Sequence, residues 1–261
     1  MTGGHYSHNR EMDRAALLEL FDRQSRREAV PAPGTRVERT DETTLWIGEG
    51  WSAVLWSGLD EANADAVVAR MAERLRGLPG HAEWKLYEHD RPADLADRLR
   101  AAGFTAEDEE AVVVAEAASL AETDADVRVA DTPELVRAFA EVNERGFDGD
   151  SFAGIESELL RALEEDEPSM LAVVAFVDGE PASAARVSFD LGSEFAGLYG
   201  GATLREHRGR GLYRATVAER ARLARERGYR YLYVDALPTS RPILERLGFV
   251  QLTTTTPFIP R

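Results

Sequence analysis

TLREHRGRGLYRATVAERARLARERGYRYLYVDALPTSRPILERLGF, the stretch from Thr203 to Phe249, decides the fold of this chain. A strand is predicted to end near Thr203, a basic turn follows over 208–211, and a helix is predicted to begin at Leu212. Glycines in such a turn let the backbone approach an anion, and the first free N–H groups of the helix point toward it. The order of strand, turn and helix therefore predicts an anion site.

Two arginines, Arg208 and Arg210, add charge to this turn in a chain that is acidic overall. Guanidinium groups bind phosphate through charge-assisted contacts. The spacing is not that of the common nucleotide loops. G-x-x-x-x-G-K-[ST] is absent, and G-x-G-x-x-G is incomplete because only Gly209 and Gly211 are present. The small basic patch suits one pyrophosphate.

The stretch resembles the acyl-CoA-binding core of the GNAT acetyltransferase superfamily, in which Arg/Gln-x-x-Gly-x-Gly/Ala follows the fourth strand. The pattern falls on Arg208, Gly211 and Tyr213, and Tyr213 departs from the small residue that the family prefers. The family continues with a long helix, a fifth strand, a short helix and a Gly-Phe turn. The sequence predicts the same order: a helix over Leu212–Arg227, a strand over Tyr229–Ala236, a short helix before Leu247, and then Gly248-Phe249.

The resemblance implies acetyl (or acyl) transfer from acetyl-CoA, or another acyl-CoA as co-substrate, to an amine by direct attack. The pantetheine arm would contact backbone of the fourth strand, where Gly200-Gly201 marks a bulge or a close approach. The expected cofactor-binding residues are the backbone at Thr203, Leu204 and Arg205, the turn and helix start at Arg208, Gly209, Arg210, Gly211, Leu212 and Tyr213, and Ser240.

The acid that many GNAT enzymes use, a tyrosine in the short helix, is replaced here by Leu244, and the family's asparagine falls on Leu237. A thiol has an ordinary pKa near 8.5, so the thiolate can leave without a dedicated acid. Tyr199 and Asp235 are the catalytic candidates, on the fourth and fifth strands. Further carboxylates lie on or after a helix where the family builds its acceptor pocket: Glu141, Glu144 and Asp148.

Composition limits the function classes. The net charge of −16 over 261 residues argues against nucleic acid as the main partner. The chain has no cysteine and its five histidines are scattered, so no metal site is expected. The longest apolar run, Met170–Val177, is far too short to span a membrane, and a cytoplasmic protein is expected. The expected partner is a small-molecule or peptide amine, and a homodimer stays open. Lys85 is the only lysine.

The C-terminal half is predicted to be α/β: strands over Val127–Ala130, Met170–Val177, Ala182–Asp190, Glu194–Thr203 and Thr253–Ile259, and helices over Thr132–Arg145 and Glu156–Glu165. Shifting the sequence by 145 residues places 84–90 over 229–235 and Gly103-Phe104 over Gly248-Phe249 without a gap. We therefore predict two tandem GNAT-like units, each a twisted mixed sheet flanked by helices. Residues 1–118 form a degenerate unit, and residues 119–261 form the acyl-CoA-binding acetyltransferase domain.

The first unit departs from the pattern at its turn. In the 145-residue register, Asn63, Ala64, Asp65 and Ala66 lie over Arg208, Gly209, Arg210 and Gly211. A pyrophosphate would meet a carboxylate and methyl groups there, so this unit is expected to bind no CoA. A helix over Asp13–Arg26 is expected to replace elements missing from its start.

Three functions stay open from the sequence. The first is an acyl-CoA-dependent N-acetyltransferase with one active site per chain. The second is a CoA-binding regulatory module without turnover, suggested by Leu244 and by the lack of an obvious base. The third is a scaffold in which neither unit binds cofactor, against which the intact Arg208, Gly209 and Gly211 argue.

Overall fold

The computed structural model describes residues 13–147 and 154–261. Its strands are β1 (Arg36–Arg39), β2 (Thr43–Ile47), β3 (Trp51–Ser57), β4 (His81–Tyr87), β5 (Phe104–Ala106), β6 (Glu110–Glu116), β7 (Val127–Val129), β8 (Met170–Val177), β9 (Glu180–Phe189), β10 (Phe195–Thr203), β11 (Tyr231–Ala236) and β12 (Val250–Pro260). Its helices are α1 (Arg14–Phe21), α2 (Ala64–Arg76), α3 (Leu95–Ala101), α4 (Pro133–Gly146), α5 (Ile155–Ala162), α6 (Leu212–Glu226) and α7 (Arg241–Arg246). A π-helical turn, Asp22–Arg27, continues α1.

The strands join one mixed sheet in the order β1-β2-β3-β4-β12-β6-β11-β10-β9-β8-β7, with β5 paired to β12. Two pairs are parallel, β3 with β4 and β10 with β11, and the other pairs are antiparallel. β6 comes before the predicted unit boundary yet pairs with β11, whereas β12 comes after it and pairs with β4. The two halves thus exchange their last strands.

Successive side chains along a strand point to opposite faces of the sheet, and each face packs against different helices. Leu232 and Val234 of β11 pack in the apolar cluster that contains α6, whereas Tyr231 and Tyr233 pack with α1 on the opposite face. On β9, Ala185 belongs to the α6 side and Ala184 to a cluster with α4 and α5. The first half has its own cluster around Trp84, covered by α2 and α3.

The mixed α/β fold predicted from the sequence is confirmed. The helix start at Leu212 is as predicted. The β8 strand has the predicted bounds, and the other predicted elements of the second half differ only at their ends. The predicted boundary between residues 118 and 119 falls in a short turn of 3-10 helix, Ala117–Ser119, and stays a prediction.

The gap-free 145-residue register is wrong at the parallel strands. Trp51 pairs with His81, 30 residues later, whereas Phe195 pairs with Tyr231, 36 residues later. Helix α6 of the second half is longer than α2 of the first half. The basic turn 208–211 ends before the first residue of α6, Leu212. Ala64, Asp65 and Ala66 are consequently the first turn of α2, and Asn63 is the residue that corresponds to Gly211 at the helix start.

Candidate active site

A wedge-shaped gap opens between β10 and β11. These strands pair only over Phe195–Gly197 and Tyr231–Tyr233, after which β10 runs on to Thr203 and β11 to Ala236. The register between β10 and β9 shifts between Tyr199 and Ala202, which is a β-bulge at the mouth of the gap. We call this gap the wedge.

Two glycines make the bulge. Gly200 has φ of +58°, a conformation that favours glycine, and its carbonyl accepts a 3.1 Å hydrogen bond from Asn143 Nδ2 on α4. A Cβ at Gly201 would lie 2.8 Å from Cε2 of Tyr213, so only glycine lets the Tyr213 ring pack there. The start of α6 is thereby held against the bulge.

The start of α6 offers free N–H donors. Gly211 is the N-cap residue, with φ of +81°, and no side chain caps the helix. Arg208 and Arg210 are exposed beside it, and Gly209 has φ of +77°. The Arg208 Nε atom donates to the Thr203 carbonyl over 3.1 Å, which holds that side chain across the end of β10. Uncapped N–H groups and two guanidinium groups on one turn suit a pyrophosphate.

The remaining predicted cofactor residues differ in burial and in hydrogen bonding. Leu204 and Leu212 are buried in the core, so only their backbones can face a ligand, and the Leu204 N–H already donates to the Ala182 carbonyl. Arg205 is exposed. Ser240 begins α7 and its Oγ donates to the Leu237 carbonyl over 3.2 Å.

On the α1 and α4 face, a row of side chains crosses the strands just where the wedge begins. The hydroxyls of Tyr199 on β10 and Tyr233 on β11 are 2.7 Å apart. The Arg186 guanidinium on β9 lies 4.8 Å from the Tyr199 ring centroid. A Cβ at Gly197 would lie 2.5 Å from that same ring, so the glycine permits its position. Burial raises the pKa of Tyr199, so the phenol is neutral near pH 7.

Asp235, the other predicted catalytic residue, is bound to the first half of the chain. Its Oδ2 accepts from Lys85 Nζ of β4, and both side chains are about nine-tenths buried. Its Oδ1 is buried without a hydrogen-bond partner. Burial disfavours the Lys85 charge, but the charges of Asp235, Tyr87, Glu83 and Glu110 together outweigh burial and raise the lysine pKa well above its usual value. Lys85 is therefore a charged contact between the two halves.

Two carboxyl groups that no sequence pattern singled out lie within electrostatic range of this pair. Burial raises the pKa of Glu110 to about 7, although Lys85 lowers it. Burial likewise raises the pKa of Asp190 to about 7, opposed by the nearby hydroxyls of Ser25 and Tyr233. Carboxyl groups that titrate near neutral pH are suited to accept a proton during catalysis.

The α1 segment closes this face with a second ionic network. Arg26 is almost fully buried, donates to both carboxylate oxygens of Asp90 and to Asp22, and lies 3.7 Å from the Tyr87 ring centroid. His89 contacts Asp22 over 2.7 Å. The predicted helix at the N-terminus thus packs against a group of buried polar side chains between the two halves, here called the central cluster: Tyr199, Tyr233, Asp235, Lys85 and Glu110.

The carboxylates predicted for an acceptor pocket, on or after α4, lie at the surface where the structure describes them. Glu141 is exposed and lines a cavity of about 290 Å³ with Arg145, Glu180, Glu206 and His207. Glu144 is exposed, and Asp148 lies outside the described residues. Leu244, at the position of the family's tyrosine, is fully buried in the core on the α6 side, and Leu237 is 43 % exposed. Position 244 therefore lies on the α6 side of the sheet, whereas Tyr199 and Tyr233 lie on the α1 side.

Within residues 13–147 and 154–261, no three His, Asp or Glu side chains are placed to hold a metal ion. No helix in the same ranges is long and apolar enough to cross a membrane.

Residues 136–249 match the sequence model of the acetyltransferase (GNAT) family. Among solved structures, the chain is similar to a GCN5-related N-acetyltransferase from Kribbella flavida, with a TM-score of 0.64, 19% identity and 95% of each chain covered. It is equally similar, at 0.64 and 15% identity, to a functionally unknown conserved protein from Staphylococcus epidermidis, with 94% of this chain and 98% of that one covered.

A tandem GNAT protein from the clavulanic acid biosynthesis pathway matches with a TM-score of 0.57 and 15% identity, covering 96% of this chain and 95% of that one. Curated proteins gave no match. At these identities the solved structures show the fold, and the match to the family rests on 136–249.

Proposed function

We propose that this protein, whose residues 136–249 form a domain of the acetyltransferase (GNAT) family, transfers an acyl group from acyl-CoA to an amine. The observation that carries the proposal is the wedge, where β10 leaves β11 at a glycine bulge directly before an uncapped helix start. A nucleotide cofactor with a long thioester arm fits such a place, because the arm pairs with strand backbone while its pyrophosphate meets the helix.

The expected cofactor contacts divide into two groups. The pyrophosphate would meet the N–H groups at the start of α6 and the side chains of Arg208 and Arg210. The pantetheine arm would follow the β10 edge that β11 has left, next to Gly200 and Gly201. Since the Leu204 N–H is already used within the sheet, the bulge is the better partner for the arm.

The reacting amine would approach from the side of the central cluster. Direct attack forms a bond from the amine nitrogen to the thioester carbon, breaks the carbon–sulfur bond and releases CoA as a thiolate, while the ammonium proton must leave before attack. Tyr199 is neutral and hydrogen-bonded to Tyr233, so the pair can pass this proton on toward Asp190, whose pKa is about 7. Asp235 is engaged with Lys85, which favours a positioning role for it.

The thiolate needs no acid from α7. Leu244 cannot donate a proton, and an ordinary thiol pKa near 8.5 lets the thiolate leave and be protonated by water. The missing tyrosine therefore does not argue against turnover.

Gly211→Asp tests the cofactor site. The substitution places a carboxylate at the helix start where the pyrophosphate would bind, and we expect calorimetry to show at least about a tenfold loss of acetyl-CoA affinity. Gly228→Asp is the matched control, since Gly228 follows the other end of α6, has φ of +80° and has open space around it. Both variants carry the same charge and the same backbone strain.

Thiol release from acetyl-CoA over a panel of amines then tests turnover. Release that depends on an amine supports the transferase. Unchanged affinity in Gly211→Asp would refute the cofactor site. Tight binding without thiol release from any amine or acyl donor would instead identify a CoA-binding regulatory module.

A further inference from the structure

Two arginine side chains on opposite faces of the sheet flank the β10 bulge without a carboxylate partner. Arg220 of α6 is 2 % exposed, and Arg186 of β9 is mostly buried. Across 13–147 and 154–261, neither guanidinium lies within 4 Å of a carboxylate oxygen. By contrast, the buried Arg26 is paired with Asp22 and Asp90.

Arg220 has a structural role that accounts for its burial. Its Nε donates to the Thr216 carbonyl over 2.9 Å, and its Nη1 donates to the Arg186 carbonyl over 3.2 Å. These bonds tie α6 to β9 beneath the bulge. The charge of Arg220 has no carboxylate partner there, and burial, together with a smaller effect of Arg186, lowers its pKa to about 10.

The side chain of Arg186 has no comparable explanation. In the described ranges its one hydrogen bond is a 3.5 Å contact from Nη1 to Ser188 Oγ. Its Nε lies 3.8 Å from the point where a Cβ on Gly200 would be, and its guanidinium stacks on Tyr199. Glu158 acts on it only through space. Its Nε therefore lies beside the bulge, near the amide of Asn143, while Nη1 points toward Ser188.

A buried cation without an anion is unfavourable because the desolvation of its charge is not offset. Two such cations that repel one another make the cost greater. The arrangement becomes favourable when an anionic group enters between the bulge and Tyr199, since guanidinium binds carboxylate in a bidentate geometry. This position is next to where the acyl thioester and the amine would meet.

We propose that Arg186, supported by the charge of Arg220, binds a carboxylate of one substrate at the β10 bulge. That the bound carboxylate belongs to a substrate rests on the proposed function, but carboxylate binding itself can be measured without turnover. The carboxylate comes either from a dicarboxylic acyl group on CoA or from an amino-acid acceptor. In both cases the same guanidinium and the same bulge recognise it.

Two pairs of probes that differ in one carboxylate separate these sources. Succinyl-CoA and butyryl-CoA have acyl chains of equal carbon number, and phenylalanine and phenethylamine, measured with CoA present, differ by the α-carboxylate. Calorimetry should show at least about a tenfold preference for the carboxylate member of one pair. Arg186→Gln should abolish that preference and leave the affinity for the uncharged member within about twofold.

Arg128→Gln is the matched control, because Arg128 also stacks on a ring, that of Phe176 at 4.1 Å, but is exposed and paired with Asp126. It should keep the preference. Should Arg186→Gln fail to fold by circular dichroism, Arg186→Lys decides, since loss of the bidentate geometry should reduce the preference at least about threefold.

No preference for either carboxylate in the wild type, or a preference that survives the change at Arg186, overturns the proposal. Failure of thiol release with every donor and acceptor would reject the proposed transferase. The binding ratios would still decide whether the carboxylate site exists.

Discussion

Replacing Lys85 by methionine removes the buried ammonium that joins β4 to Asp235 on β11. Asp235 Oδ1 already lacks a partner, so Lys85→Met leaves the whole carboxylate buried and unpaired. Breaking one side of a buried ion pair costs about 3–5 kcal/mol. For a chain of this size, about 2–4 °C of melting temperature corresponds to each kcal/mol, so we expect a fall of roughly 6–20 °C.

The same change should be less damaging at low pH. Lys85 lowers the pKa of Glu110, so its removal raises that pKa further, and protonation of the surrounding carboxyl groups then relieves the unpaired charge. The loss of stability in Lys85→Met relative to the wild type should thus be smaller at pH 5 than at pH 8. Urea unfolding at both pH values, followed by circular dichroism, measures it.

The double variant Lys85→Met with Asp235→Leu separates charge from packing. Replacing both partners by apolar groups of similar size is often close to neutral, so the double variant should recover most of the stability that the single variant loses. Arg137→Ala is the control, because its pair with Glu134 is exposed and should contribute less than about 1 kcal/mol. A Lys85→Met protein whose free energy of unfolding is within about 1 kcal/mol of that of the wild type would refute the buried ion pair.

Two further predictions concern the cofactor and the proton. Calorimetry should find one CoA per chain, because the N–H groups of the turn before α2 are already bonded within the chain. Asp60 Oδ1 accepts from the N–H groups of Ala62 and Asn63 over 2.8 and 3.0 Å. Two CoA molecules per chain would contradict this. Asp190 has a folded pKa of about 7 against an ordinary 3.8, so the folded state holds its proton and stability falls as pH rises from about 4 to 7. Asp190→Asn should remove this fall of the unfolding free energy with pH, as measured by urea unfolding. The same variant should flatten the rise of kcat/KM through about pH 7. An unaltered pH dependence in both assays would exclude Asp190 as the titrating group.

The sequence was sufficient for the elements that local chemistry determines. The glycines and arginines before Leu212 specify a turn and a helix start, and the apolar run Met170–Val177 specifies a buried strand, because both signals depend on neighbours in the chain. The bulge at Gly200-Gly201 was also predicted from its glycines. Its physical reason, the ring of Tyr213 packed on Gly201, required the packing of α6 on β10.

The central cluster could not be predicted in the same way. Lys85 and Asp235 are 150 residues apart, and their contact depends on the exchange of β6 and β12, which no local pattern specifies. The gap-free repeat register was wrong because a constant sequence offset does not record the longer strand, turn and helix that precede β11 in the second half. Glu110 was missed because a glutamate at the start of a strand is usually a surface residue. Only the folded structure shows the burial that raises its pKa.

Strand exchange explains why a unit without a phosphate-binding turn is still part of the candidate site. β6 lies between β11 and β12, so it carries Glu110 toward Asp235, while the pairing of β12 with β4 carries Lys85 to the same place. Without β6 the edge of β11 would be unpaired, and an unpaired edge is prone to association with other chains. The first half therefore completes the sheet of the second and supplies charged side chains next to the proposed acceptor side, two tasks that require no cofactor of its own.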